Sequence, residues 1–378
     1  MIHGKMGDVV SLEQGLAINK KSKHLVVETG IPLLRITDMF SQNFNQFIDK
    51  DNVPEKFISR IDDLIYSRTG QVGHVFRNQK GVIHNNCFRI DPIDTVDRSY
   101  MYWFLKQPKV RNHANNLASG SAQPDLNHDA FKSLDFNYPN RIEDQKRIAN
   151  ILDQYEILIE NNDRRIAILE EMGRSLYQEW FVKFRFPGHK SKNLKESSLG
   201  LIPEGWEVKR LDDFVVLQRG FDLPKKKRNN EGGVPIYASS GKCGFHDEVK
   251  VNGPGLVTGR SGTLGIVTLI MEDFWALNTT LWVKEFKNCS AFYGYYLLLS
   301  IGLKNYNSGA AVPTLNRNYV HGLPIVSPSI ELIEEFEKYT GEKFKAIDLL
   351  KRKNNILRAQ RDLLLPKLIS GNLSLGTI

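Results

Sequence analysis

Cysteine is scarce in this chain. Three residues, Cys87, Cys243 and Cys289, are scattered along 378 positions. That number is odd and the spacing is wide, which fits neither a disulfide framework nor a zinc cluster and points to reduced thiols in a cytosol. Long hydrophobic runs are also missing. The most apolar stretch, FYGYYLLLSIGL at 292–303, falls short of the roughly 20 residues that cross a bilayer. The opening MIHGKMGDVV lacks the apolar core of a signal peptide. A soluble, cytoplasmic chain without a membrane partner is expected. There is no Pro-Pro pair, hence no Asn/Asp-Pro-Pro-aromatic signature of amino-methyltransferases, no GxxxxGK[ST] phosphate loop and no HExxH. Cys243 and His246 lie close together without a third group to complete a nucleophile–base arrangement. Pro124-Asp125 and Glu207-Val208-Lys209 carry the letters of a nuclease core but sit far apart. No catalytic residue and no metal ligand is assigned, so the chain reads as a binder.

What is present begins with a long charged stretch at 141–184. It holds no proline, and its only glycine is Gly173. Apolar residues recur at Ile148, Leu152, Tyr155, Ile159, Ile166, Leu169, Leu176 and Trp180, the seam of a helix packed lengthwise on another. At a rise of 1.5 Å per residue it would reach roughly 65 Å. A second such pattern, with Phe336, Ile347, Leu350, Leu357, Leu364 and Leu368, ends the chain. Asn162 and Asn354 fall on the two seams. A buried Asn fixes register in paired helices; exposure where the seam drifts is the other reading.

The rest of the chain is duplicated. LIYSRTGQVGHV at 64–75 matches LVTGRSGTLGIV at 256–267, and HNNCFRI at 84–90 matches LNTTLWV at 277–283. YMYWFL from Tyr100 aligns with YGYYLL from Tyr293, SGSAQPDLN from Ser119 with SGAAVPTLN from Ser308, and GDVVSLEQG at 7–15 with DDFVVLQRG at 212–220. Blocks that match in one order, with an offset that drifts as loops change length, are the mark of an internal repeat. Short apolar runs punctuated by glycine suggest strands in each half, with one amphipathic helix at the aromatic block. The predicted organisation is α+β: a first globular domain at 1–140, a central long helix at 141–184, a linker at 185–200, a second globular domain at 201–326, a second long helix at 327–370 and a tail at 371–378. The tail is expected near the short first-half start, since the ends of a two-fold repeat can meet.

Lys and Arg number 51 against 43 Asp and Glu, a net charge of +8, and the isoelectric point is near 9.1. This balance favours a polyanion, nucleic acid first. The Arg68-Thr69-Gly70 and Arg260-Ser261-Gly262 turns combine a guanidinium, a hydroxyl and backbone N–H groups, the donors used on phosphates and base edges. A tight hairpin turn with a solvated Arg is the plainer reading. Lys20 and Lys21 in the first half, and Lys225 and Lys226 in the second, form basic clusters at matching places. Such clusters suit a phosphate-tracking loop, although a charge run is commonly a solvated face. Asn127 and Asn316, each after a Leu, suit either adenine contact or a helix cap. The aromatic blocks around Trp103 and Tyr295 read as core in preference to base stacking.

Taken together, the SRTGxxG and GRSGxxG turns, the LIPEGWEVKRLDDF opening of the second half, YQEWFVKF ending the first helix and LLLPKLISGNLSL ending the second resemble the specificity subunit of type I restriction–modification systems. The similarity spans essentially the whole chain, apart from a short first-half start. The resemblance implies two target-recognition domains reading the halves of a split double-stranded DNA site. It implies paired antiparallel helices that space these domains and dock two methyltransferase subunits, and further restriction/translocase subunits. S-adenosylmethionine, ATP and Mg²⁺ would belong to those partners and none to this chain. Lys20, Lys21, Arg68, Thr69, Gly70, Lys225, Lys226, Arg260, Ser261 and Gly262 are the expected DNA contacts. Two alternatives are a nuclease or methyltransferase fused to a recognition repeat, and an adaptor that never touches DNA.

Overall fold

A computed structural model describes residues 1–120 and 122–373, so the end of the predicted tail lies outside the described residues. The chain divides into two compact units, Met1–Glu160 with Asn354–Ile378, and Asn161–Lys353.

In the first unit, four short strands form an antiparallel sheet: β1 (Val10–Gln14), β2 (Leu64–Ser67), β3 (Val75–Phe76) and β4 (Cys87–Pro92), in the order β1-β4-β2-β3. Their aromatic and β-branched residues suit a pleated, half-buried surface. Ile2–Lys5 pairs with Asp135–Tyr138 beside this sheet. A separate mixed sheet contains a parallel pairing of Ile31–Leu34 with Gly81–Ile83. Helix α1 (Arg98–Lys106) carries the first aromatic block and is capped by Asp97, whose carboxylate accepts from Tyr100 N at 2.9 Å. Tyr100 and Trp103 are fully buried with Tyr66, Phe88 and Phe131. The aromatic block is therefore core, because helical spacing turns its rings onto the sheet.

The second unit repeats this plan. Strands β5 (Val215–Arg219), β6 (Gly255–Gly259), β7 (Val267–Ile270) and β8 (Thr280–Phe286) run in the matching order β5-β8-β6-β7. Glu207–Arg210 pairs with Pro324–Ser327, as Ile2–Lys5 does with its partner. Helix α2 (Ala291–Ser300) bears the second aromatic block, capped by Ser290. A three-stranded sheet adds Val234–Ala238, Gly241–His246 and Trp275–Ala276. Within 185–200, the stretch read as a linker, Leu194–Ser197 pairs with Gly200–Pro203 in a largely exposed hairpin.

Both long helices form. The first long helix, Ile142–Tyr177, starts on Glu143 and Asp144, which suit the positive end of its dipole. It ends in a π-helical turn, Gln178–Val182, and breaks where Phe184 takes φ 59°. The second runs Ile330–Ile369. Each contributes to both cores: Ile148, Leu152, Leu365 and Leu368 in the first unit, and Ile166, Phe336, Phe344 and Ile347 in the second. In the first unit the two helices run antiparallel, with Arg361 meeting Glu156 and Asn354 meeting Ile159. Asn162 and Asn354 are 5% and 1% exposed, which decides between the two readings of the seam asparagines in favour of burial. Leu368 and Ile369 also pack into the first unit's core, and the Ile369 carbonyl lies 3.5 Å from the Tyr100 hydroxyl. Among the described residues no helix is long and apolar enough to cross a membrane.

Candidate nucleic-acid interface

Each unit presents one turn built on the same backbone frame. In the first, β2 ends at Ser67 and the chain turns through Arg68, Thr69 and Gly70. Arg68 N and Thr69 N donate to the Asn86 carbonyl at 2.8 and 3.3 Å, and Gly70 N donates to the Pro124 carbonyl at 2.8 Å. The Arg68 carbonyl accepts from Leu126 N at 2.9 Å. In the second unit Arg260 N and Ser261 N donate to the Thr279 carbonyl at 2.8 and 3.1 Å, Gly262 N to the Pro313 carbonyl at 2.9 Å, and Leu315 N to the Arg260 carbonyl at 2.8 Å. Gly70 and Gly262 sit at φ 80° and 89°, a region that side-chain-bearing residues rarely adopt. An added Cβ at Gly70 would meet open space, so backbone conformation is what calls for glycine there.

The turn is thus stapled to the Pro-x-Leu-Asn loop. In both units that loop opens a short helix, His128–Lys132 and Arg317–His321, where Asn127 Oδ1 accepts from Ala130 N at 2.8 Å and Asn316 Oδ1 from Asn318 N at 3.0 Å. Both asparagines are helix caps.

The side chains diverge. Arg68 Nε and Nη2 donate to the two Asp125 carboxylate oxygens at 3.2 and 2.5 Å, and Nη1 donates to Gln14 Oε1 at 2.9 Å. Thr69 Oγ1 also donates to Asp125, at 2.5 Å. Burial works to raise the Asp125 carboxyl, but hydrogen bonds from Arg68 and Thr69 and the Arg68 charge outweigh it and hold the group below the usual carboxylate range. In the second unit Thr314 stands where Asp125 does, and its hydroxyl donates to the Val312 carbonyl at 3.0 Å. Arg260 Nη1 donates to the Asn278 carbonyl at 2.8 Å, and among the described residues no carboxylate pairs with its guanidinium. Asn278 Nδ2 in turn donates to Asp222, which also accepts from Arg219 Nη2 at 3.3 Å.

Lys20, Lys21, Lys225 and Lys226 are exposed, and among the described residues none of the four pairs with a carboxylate. The second cluster forms a 3₁₀ turn, Lys225–Lys227, after Pro224. Asp222, Lys225, Arg228, Cys243, Asn278 and Thr279 line a cavity of about 420 Å³. This brings the second lysine cluster to the residues that hold Arg260. Asp222, Asn278, Gln14 and Asp125 were not singled out as site residues from sequence; the repeat register, which sets Asp125 against Thr314 and Gln14 against Arg219, was the available signal. Cys243 Sγ accepts from Arg228 Nη1 at 3.8 Å, while the His246 ring packs on Trp275. Among the described residues no cluster of His, Cys, Asp or Glu could hold a metal ion.

A family model for the type I restriction modification DNA specificity domain matches residues 3–171 and 203–357. The type I restriction enzyme MjaIX specificity subunit of Methanocaldococcus jannaschii is 26% identical over 335 residues, 82% of this chain and 77% of that protein. The MjaVIII specificity subunit of the same organism is 26% identical over 167 residues, 44% of this chain and 38% of that one. The crystal structure of a type I restriction-modification system S subunit from M. genitalium superposes with a TM-score of 0.65 at 16% identity, covering 97% of this chain and 95% of its own, which is a likeness of fold.

Proposed function

The chain belongs to the type I restriction–modification DNA specificity family, and from that premise we propose that it reads a split double-stranded DNA sequence, one half with each recognition domain, for a methyltransferase complex. The observation that carries this reading is the duplicated turn. Two units place an Arg-Thr/Ser-Gly turn on the same backbone hydrogen bonds, in a chain of net charge +8 with exposed lysines at matching loops. Two readers multiply discrimination, since each correct base pair is worth about 1–3 kcal/mol over a mismatch.

Under the same proposal the long helices dock two methyltransferase subunits. Both carry large apolar side chains in solvent, among them Ile168 and Met172 on the first and Leu349, Ile356 and Leu363 on the second. Isolated exposed apolar residues are ordinary, but a helix whose buried seam is already occupied has no intramolecular use for a second apolar set. S-adenosylmethionine, ATP and Mg²⁺ enter with the methyltransferase and the restriction/translocase subunits, and this chain contributes recognition without bond chemistry of its own.

Co-expression with a cognate methyltransferase, followed by single-molecule mapping of methylated adenines, tests the proposal. A single split sequence methylated on both strands, and lost without this chain, is the expected result. Methylation that is independent of this chain, with no stable complex in pull-down, overturns it.

A further inference from the structure

The two arginine turns share a backbone and differ in what holds the guanidinium. Arg68 is held at all three guanidinium nitrogens: Nε and Nη2 engage both oxygens of Asp125, and Nη1 engages Gln14. Gln14 is itself anchored, donating to the Asn85 carbonyl at 2.6 Å. A planar guanidinium has five donors in a fixed fork, and a bidentate carboxylate is the partner that fork fits best. With Asp125 in place, the Nε/Nη2 edge of Arg68, the one suited to a bidentate acceptor, is already taken.

Arg260 is held at one end only, by the Asn278 carbonyl on Nη1. Its Nε and Nη2 edge makes no hydrogen bond among the described residues. The chain Arg219, Asp222, Asn278 fixes that carbonyl, so the guanidinium is oriented and still has donors to give. The adjoining cavity of about 420 Å³ has Lys225 and Arg228 in its wall. Arg228 Nε is also buried without a hydrogen-bond partner, a cost that an oxygen or nitrogen acceptor would relieve. The lining carboxylate, Asp222, is already engaged by Arg219 and Asn278. The site as a whole offers donors.

We infer that the turns have different tasks: Arg260 is a specificity-determining residue whose Nε/Nη2 edge takes a bidentate acceptor on DNA, and Arg68 is a positioning residue that locks the first domain's 124–127 segment. This rests on the DNA-reading proposal above. The acceptor chemistry has two sources, the O6/N7 edge of a guanine or a pair of phosphate oxygens. The asymmetry follows from two exchanged positions: Asp125 against Thr314, at equivalent bridges to Thr69 and Ser261, and Gln14 against Arg219.

The test uses the whole chain in complex with its methyltransferase, reading both the methylated sequence and the affinity for that site. Arg260→Ala should weaken the site by about tenfold to a hundredfold, the worth of one bidentate contact. A relaxed base in one half-site identifies guanine as the source; uniform weakening with a shallower salt dependence identifies phosphate. Thr314→Asp supplies the carboxylate that the first domain already has. It should mimic Arg260→Ala, and the double variant should be no worse than either single one, because the new carboxylate acts by capturing Arg260. Additive losses would mean simple charge repulsion and would overturn the capture.

In the first domain, Arg68→Ala should leave the methylated sequence unchanged while lowering occupancy and thermal stability. Asp125→Ala should do the same, without further loss when the two are combined. A changed base in the methylated sequence of Arg68→Ala would overturn its assignment. An Arg260→Ala complex that writes the same sequence with undiminished affinity overturns the inference while leaving the DNA-reading proposal standing, whereas a wild-type complex that writes no split sequence overturns the proposal itself.

Discussion

Asn354 Nδ2 donates to the backbone carbonyl of Ile159 at 3.4 Å. The contact crosses from one long helix to the other within the first unit, at a position 1% exposed. A polar side chain in an apolar seam is stable only where its hydrogen bonds are made, and that requirement selects one register of the helix pair. Asn354→Asp should therefore destabilise by about 2–4 kcal/mol at pH 8, since burying a charge in an apolar seam is costly. Protonation of the new carboxyl should return part of that loss as the pH falls toward 5. Thermal unfolding at the two pH values checks this, and equal losses at both would refute it.

A cluster of charges ties α1 to both long helices in the first unit. Trp103 Nε1 donates to Asp153 at 2.8 Å, Arg77 pairs with Asp153 at 2.6 Å, and Arg361 donates to Glu156 at 2.5 Å. The Arg77 guanidinium also lies 4.1 Å from the Tyr102 ring centroid. Burial works to raise Glu156, but Lys106 and Arg361 outweigh it and keep the carboxyl below its usual range. Glu156→Gln removes the charge that Arg361 and Lys106 face, and should lower stability by about 1–3 kcal/mol. A denaturation midpoint unmoved by this change would show the cluster to be ornamental.

Gly173 is the single glycine of the first long helix, and a Cβ there would overlap the Tyr296 hydroxyl. Alanine is the better helix former by about 1 kcal/mol, so an exposed site would gain from the change. Here Gly173→Ala should instead cost about 1–3 kcal/mol through overpacking against a buried ring. Combining it with Tyr296→Phe, which removes the overlapping oxygen, should recover most of the loss. A stabilised single variant would mean that Tyr296 moves aside freely.

Acid should weaken the fold through its histidines. Burial, with the Arg111 charge beside it, pushes His74 down to about 4. Burial lowers His84, His128 and His321 in the same direction. His321 Nε2 accepts from Leu217 N at 2.9 Å, a bond that protonation would abolish. A depressed histidine leaves more protons on the unfolded chain, so its stabilising contribution is complete above the ordinary value of about 6.5 and is lost as pH falls toward 4. Chemical denaturation should give lower stability at pH 5 than at pH 7.5, with a smaller difference in His74→Gln. An unchanged difference in that variant would remove His74 from the account.

How much of this was legible beforehand differs from one feature to another. The repeat, the order of its blocks and the two helix seams were readable, because each is a matter of period or of local chemistry. Asn127 and Asn316 are caps for the same reason, since a cap's partner lies two or three residues away. The linker stretch was read from its Lys, Ser and Gly content, and that composition serves an exposed hairpin equally well.

The amino-acid sequence by itself determined a duplicated α+β chain with two long helices, a glycine-dependent turn in each half and a surplus of positive charge. Only the tertiary structure decided what holds each arginine. Asp125 reaches Arg68 across 57 positions of sequence, through the closure of the Pro-x-Leu-Asn loop onto the turn. The matching loop closes onto Arg260 with a threonine in the carboxylate's place. Local pattern dictates backbone conformation, because turns and helices are satisfied by near neighbours. The partner of a long polar side chain depends on which distant segment folds against it.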